Sequence, residues 1–210
     1  MSAACLPRHP AAAYLSLVRP VSDDDFVIFP PFETFYILSL LSCTESALIS
    51  AEWVSRFLPE YVKIPEKFPP QSVLNHLQNI ALQRAAISRF FWPVGNKYQR
   101  RGAFLRERFK LDDSSPLRSR ELRNRMEHYD EYLDDYFATE RMVGHILPDY
   151  VGPEPVEEEV PYHLFRAYFV DTGRVAILGV RFELQPLVDE ILRLHHILRN
   201  CDQTGSRFPR

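Results

Sequence analysis

The chain has 210 residues, 46% of them hydrophobic and 25% charged, with a formal net charge of -3. That length and balance allow one domain with a full apolar core plus an appendage, and exclude a fibrous or intrinsically disordered protein. The longest uncharged apolar run, between Glu33 and Glu45, falls well short of the roughly 18 residues a membrane helix needs, so a soluble chain with no membrane partner is expected.

Residues 1–29 lack a sustained period and carry the run Asp23-Asp24-Asp25, which predicts an N-terminal arm with apolar patches able to dock on the core. Its apolar stretch at 11–18 is broken by Tyr14 and Ser16 and follows Pro7 and Pro10, a poor secretory core. Cys5, Cys43 and Cys201 have no spacing that suits zinc or a disulfide framework. A reducing, cytoplasmic location is therefore expected.

Pro30-Pro31 opens an apolar stretch over 32–58 that predicts a core helix with proline in its first turn. A second helix is predicted over 71–91, where Val73, Leu74, Leu77, Ile80, Ala81 and Ile87 recur at helical spacing before Trp92-Pro93 and Gly95 end it. A third follows at 96–109. The turn Asp112-Asp113-Ser114-Ser115-Pro116 offers Ser115 as a cap and Pro116 as the first residue of a fourth helix reaching Glu140. Residues 30–147 thus read as a helical bundle.

Residues 148–161, with Gly152, several prolines and Glu157-Glu158-Glu159, read as an acidic linker without regular structure. A second unit is placed at 162–200. Its β-rich stretches 162–170 and 174–184 flank Asp171-Thr172-Gly173 as a hairpin, and Pro186 starts a last helix with Leu187, Ile191, Leu194 and Leu198 on one stripe. Residues 201–210 read as a flexible tail. The fold class is mainly α, a helical bundle with a small C-terminal β-hairpin plus helix appendage.

Charge is segregated along the chain. Residues 84–125 carry 12 Lys/Arg against four Asp/Glu, whereas residues 126–160 carry 11 Asp/Glu against one Arg. A block so basic attracts polyanions by counterion release, unless its arginines pair with the acidic block across helices.

With the fourth helix turned at about 100° per residue, Leu122, Met126, Tyr129, Leu133, Tyr136 and Phe137 fall on one core-facing arc. Arg123, Asn124, Glu127, His128, Glu131, Asp134 and Asp135 share a polar arc. A guanidinium such as Arg123 presents a planar fork of donors to a phosphodiester and stays charged as negative charge develops. An imidazole such as His128 can exchange protons near neutrality without a metal. Asn124 and Glu127 are the supporting residues, one orienting the imidazole or donating to phosphate, the other setting the tautomer.

The run Arg123-Asn124-Arg125-Met126-Glu127-His128 resembles the signature of the HEPN superfamily, an Arg followed by a polar residue and then by a His four to six positions on. The wider text from Leu122 to Asp134 is similar to uncharacterised bacterial members, and the likeness covers about residues 30–145. It implies an HEPN-like helical bundle acting as a metal-independent endoribonuclease without cofactor, a homodimer whose paired motif helices receive RNA, in a toxin, defence or stress setting. The RNA-contacting candidates are then Arg100, Arg101, Arg106, Arg118, Arg120 and Arg125. The chain departs from the subgroup modified on a tyrosine two positions after the His, where it carries Asp130, with Tyr129 adjacent.

Two other readings remain open. One is a non-catalytic interaction module whose polar helix face binds a protein partner or a second protomer. The other is an ion-paired scaffold in which Arg123 and Glu127 form an i,i+4 pair. Phe90, Phe91 and Trp92 either stack on bases or belong to the core, the commoner fate. His145, His163, His195 and His196 lack ligand partners at metal spacing, so no metal is expected. With no nucleophile elbow and no phosphate-binding loop among seven glycines, nucleotide hydrolases and dehydrogenases are excluded.

Overall fold

The computed structural model describes residues 26–64, 68–156 and 160–210. Most of the expected N-terminal arm, residues 1–25, lies outside them, as do Glu157-Glu158-Glu159 of the expected linker. The fold is mainly helical with a four-stranded mixed sheet.

Helix α1 (Pro30–Lys63) begins on its proline pair and buries Ile37, Leu40, Leu41, Thr44, Ala47 and Val54, a stripe at three- and four-residue spacing. Helix α2 (Pro70–Phe91) runs antiparallel to it: Asn79 bonds Ser46 and Ser50, His76 stacks on Trp53, and Phe68 meets Phe57. By length and composition α1 is long and apolar enough to cross a membrane, against the expectation from uncharged run length. Here one side of it is occupied by α2 and by the C-terminal helix.

A short 3-10 turn (Asn96–Tyr98) leads into α3 (Gln99–Phe109), close to the predicted third helix. Gly102 is required there, because a Cβ would lie 2.5 Å from Pro93 Cδ and 2.7 Å from the Phe91 carbonyl oxygen. Glycine lets α3 lie directly on the end of α2.

The predicted fourth helix is corrected at both its start and its middle. Residues 115–118 form a turn, with Arg118 N donating to Ser115 O, and the helix starts only at Glu121. It then divides into α4 (Glu121–Glu127) and α5 (Tyr129–Thr139), with His128 between them at φ -110°, ψ 38°. The two halves serve different partners. Leu122 of α4 is buried against the bundle, whereas Tyr136 of α5 is held to the sheet, its hydroxyl 2.9 Å from His163 Nδ1. On the expected core arc, Met126, Tyr129, Leu133 and Tyr136 are partly buried, but Phe137 is half exposed.

The expected linker is also corrected. Strand β1 (His145–Gly152) pairs in parallel with β2 (Tyr162–Phe169), which pairs antiparallel with β3 (Arg174–Ile177), and β3 with β4 (Val180–Glu183). Pro148 is tolerated because β1 is an edge strand and the residue drops out of the pairing register. The stretch read as one strand over 174–184 folds back at Leu178-Gly179, both at positive φ. Glu154 ties the connection after β1 to the sheet, its carboxylate 3.1 Å from Arg174 Nη2 and 2.5 Å from Arg181 Nε.

Helix α6 (Gln185–Gln203) buries Leu187, Ile191, Leu194 and Leu198, the predicted stripe, and packs on α1 through His195 against Thr44 and Arg199 against Glu45. The tail expected to be flexible is instead clipped down. Glu33 accepts from Arg207 at 3.0 and 3.1 Å and from the Phe208 N–H at 2.8 Å. Phe208, 6% exposed, fits among Tyr36, Phe104 and Phe109. Phe208→Ala is expected to lower unfolding stability by about 3 to 5 kcal/mol in urea melts. A loss under about 1 kcal/mol would show that the tail is not part of the core.

Candidate functional site

The site begins at the end of α2. The last carbonyls of a helix have no helical partner and form the negative end of its dipole. Three guanidinium groups meet them here: Arg101 donates to Arg89 O at 3.0 Å, Arg120 to Trp92 O at 3.0 Å, and Arg106 to Phe91 O. Half of the RNA-contacting candidates thus have a structural duty.

Arg84 lies deeper, on the core stripe of α2 between Ala81 and Ser88, and is only 3% exposed. It donates to Pro116 O at 3.2 and 2.9 Å and to Ser119 O. Burial pulls its pKa down to about 10, and its described partners include no carboxylate. By gripping the two carbonyls it fixes the turn that delivers Glu121 to the first residue of α4.

On α4, Arg123 is 22% exposed along its side chain and forms an ion pair with Glu127 one turn later. Its Nη1 donates to Asn124 Oδ1 at 3.4 Å, while its buried Nε has no partner. Glu127 also lies 3.9 Å from Arg89 Nη2, so one carboxylate serves two guanidinium groups. Arg84, Arg89, Arg120 and Arg123 border a cleft of about 20 Å³, room for one water.

His128 occupies the joint between α4 and α5. Its side chain is 53% exposed, with Nδ1 3.5 Å from Glu131 Oε1. No hydrogen bond or ion pair joins it to Arg123 among the described residues. Arg123 lies before the joint and His128 within it, each beside a different carboxylate. Asn124 bonds Arg123 rather than the imidazole, and Glu127 serves Arg89 and Arg123 rather than setting the His128 tautomer.

Of the remaining candidates, Arg118 pairs with Asp113 at 3.1 Å, Arg125 lies 3.9 Å from Glu121 and over the Tyr132 ring, and Arg100 is exposed on α3. Phe91 and Trp92 are buried and Phe90 partly so, which makes the aromatic run part of the core. His163 is buried between Tyr136 and the Val143 carbonyl, His195 bonds Thr44, and His145 stacks on Tyr162.

Sequence reasoning missed Arg84 and Arg89. For Arg84 a signal existed, since it falls at core spacing with Leu77, Ala81 and Ser88. It also missed Asp149 and Arg166, register partners on β1 and β2, because no strand was expected at Asp149.

The chain matches no family model, no curated protein and no solved structure.

Arg84→Met keeps most of the side-chain volume but leaves the Pro116 and Ser119 carbonyls without a donor. We expect a loss of about 1 to 3 kcal/mol in unfolding stability and faster amide exchange across 117–127. Unchanged exchange there would show that Arg84 does not hold α4.

Proposed function

We propose that the chain is an HEPN-like RNA-binding protein, a metal-independent endoribonuclease of a defence or stress system that acts as a cytoplasmic homodimer. One observation carries this reading: the exposed His128 sits at a helix joint with Arg123 just before it, near three arginines, Arg101, Arg106 and Arg120, that are bonded to backbone carbonyls, although Arg123 itself is paired with Glu127. Guanidinium groups held in that way keep their charge and their remaining donors for a phosphate.

In the reaction, phosphate oxygens displace the Glu127 carboxylate from Arg123, which then faces the developing phosphorane charge. His128 takes the proton of the ribose 2′-hydroxyl as that oxygen attacks phosphorus. The P–O5′ bond breaks, and the 5′-oxygen leaves with a proton from the second protomer's imidazole. The products are a 2′,3′-cyclic phosphate and a 5′-hydroxyl. Glu131 orients the His128 ring.

A second reading is a non-catalytic interaction module, as a homodimer or with a protein partner. It is favoured by the exposed apolar side chains Phe29, Phe32, Phe35 and Leu38 at the start of α1 and by the internal partners of Arg123 and His128. It predicts association without turnover.

Purified protein incubated with single-stranded RNA in EDTA should cut it. Arg123→Ala and His128→Ala should each slow cleavage by at least about 100-fold with the circular dichroism spectrum unchanged. Cutting that survives both substitutions rejects the assignment, and no cutting by the wild type selects the interaction module. Separately, Glu127→Gln should tighten RNA binding by roughly threefold to tenfold at low salt, because the internal counter-ion of Arg89 and Arg123 is gone. Weaker binding in a filter assay would assign Glu127 a direct role instead.

A further inference from the structure

On the other side of the motif helix a cavity of about 330 Å³ opens between α2, the α4–α5 joint and the sheet. That is within the range of small-molecule sites. Leu74 and Leu77 of α2, Met126 of α4, and Val175 and Ile177 of β3 supply apolar walls. Among the walls lies a preformed polar edge. Arg166 donates through Nε to Asp149 Oδ1 at 2.8 Å, with Nη2 at 2.6 Å, and Gln71 donates to Asp149 Oδ2 at 2.7 Å.

Tyr129 and Gln78 add a phenol and an amide to the lining, and neither side chain makes a protein hydrogen bond among the described residues. Burial pushes the Tyr129 phenol above its usual pKa, with Arg166 opposing and Asp149 adding. Polar groups facing a partly enclosed apolar space without protein partners are the usual preparation for a ligand.

The charges narrow the ligand class. The Asp149–Arg166 pair is neutral as a whole, so an anion meets the carboxylate and a cation meets the guanidinium, each at a cost. An uncharged molecule carrying a donor and an acceptor side by side matches the pair, and apolar walls suit a flat one. We propose that this cavity binds a nucleobase, read along one edge by Asp149, Arg166, Tyr129 and Gln78.

This rests on the RNA reading and deepens it: Met126 and Tyr129, which line the cavity, bracket Glu127 and His128 in sequence, so one short segment serves both the cavity and the surface pair. A single RNA strand can then insert an unpaired base behind the helix while a neighbouring phosphodiester lies before His128.

The test uses the full chain with free adenosine, guanosine, cytidine and uridine, followed by amide NMR shifts at Met126, Tyr129 and Arg166. At least one nucleoside should bind saturably at millimolar concentration or tighter, with shifts centred on those residues. Tyr129→Phe and Gln78→Leu should each weaken that binding about tenfold, and Leu77→Phe, which fills the cavity, should abolish it with the melting transition retained. The proposal is overturned if no nucleoside binds, or if binding is unchanged in both Tyr129→Phe and Gln78→Leu, variants that leave the walls intact. RNA cleavage by a chain that binds no nucleoside overturns the base pocket and leaves the nuclease standing. Nucleoside binding in a chain that cuts no RNA supports the pocket and removes the nuclease.

Discussion

On the core-facing stripe of α2, where the neighbouring positions are apolar or small, Arg84 places a guanidinium, and α4 is located through it. A buried cation is tolerable only when its donors are used. Three of its contacts go to the carbonyls of Pro116 and Ser119, in the turn just before the motif helix. The sequence pays for this with a depressed pKa, about 10, in exchange for a fixed entry point. Once residues 116–119 are held, Glu121 starts α4 beside α2, and Arg123 comes to lie next to Arg89 with Glu127 between them.

The same chemistry extends to the end of α2. A helix C-terminus packed against other elements needs donors, and Arg101, Arg106 and Arg120 provide them. Carboxylate partners would have satisfied the arginines but cancelled their charge. Carbonyl partners satisfy the helix and leave the charge in place, offset only by the fractional negative end of the dipole. Around the end of α2 the basic block is therefore structural and electrostatic at once, with these three guanidinium groups held in position.

Elements governed by a single periodicity were legible in the sequence. The stripes of α2 and α6 follow the predicted positions because each helix keeps one unbroken period from end to end. The motif helix answers to two packing surfaces, the bundle through Leu122 and the sheet through Tyr136, and no local signal marks the resulting joint at His128. Strand β1 was hidden because Pro148 and Gly152 read as breakers, although an edge strand that skips one residue of its register accommodates both. The tail was hidden because its anchor, Glu33, lies 174 and 175 residues away from Arg207 and Phe208. For the site, the residue types Arg123 and His128 were readable, whereas the roles of Arg84 and Arg166 depend on partners that only the tertiary fold supplies.

The two charge blocks do not neutralise each other. Among the described acidic residues of 126–160, Glu127 alone is paired with the basic block, by Arg89 and Arg123, while Asp113 and Glu121 pair with arginines inside that block. Asp149 and Glu154 are matched instead by arginines of the sheet, Arg166, Arg174 and Arg181. Asp130, Asp134 and Asp135 remain exposed along α5. His128 consequently stands on a boundary, with fixed guanidinium groups on the α4 side and a strip of carboxylates on the α5 side. A polyanion approaching this boundary is drawn to one side and repelled from the other at distances up to a Debye length, about 8 Å at physiological salt. Such a field gives a strand one favourable approach to the imidazole, across the basic surface and away from α5.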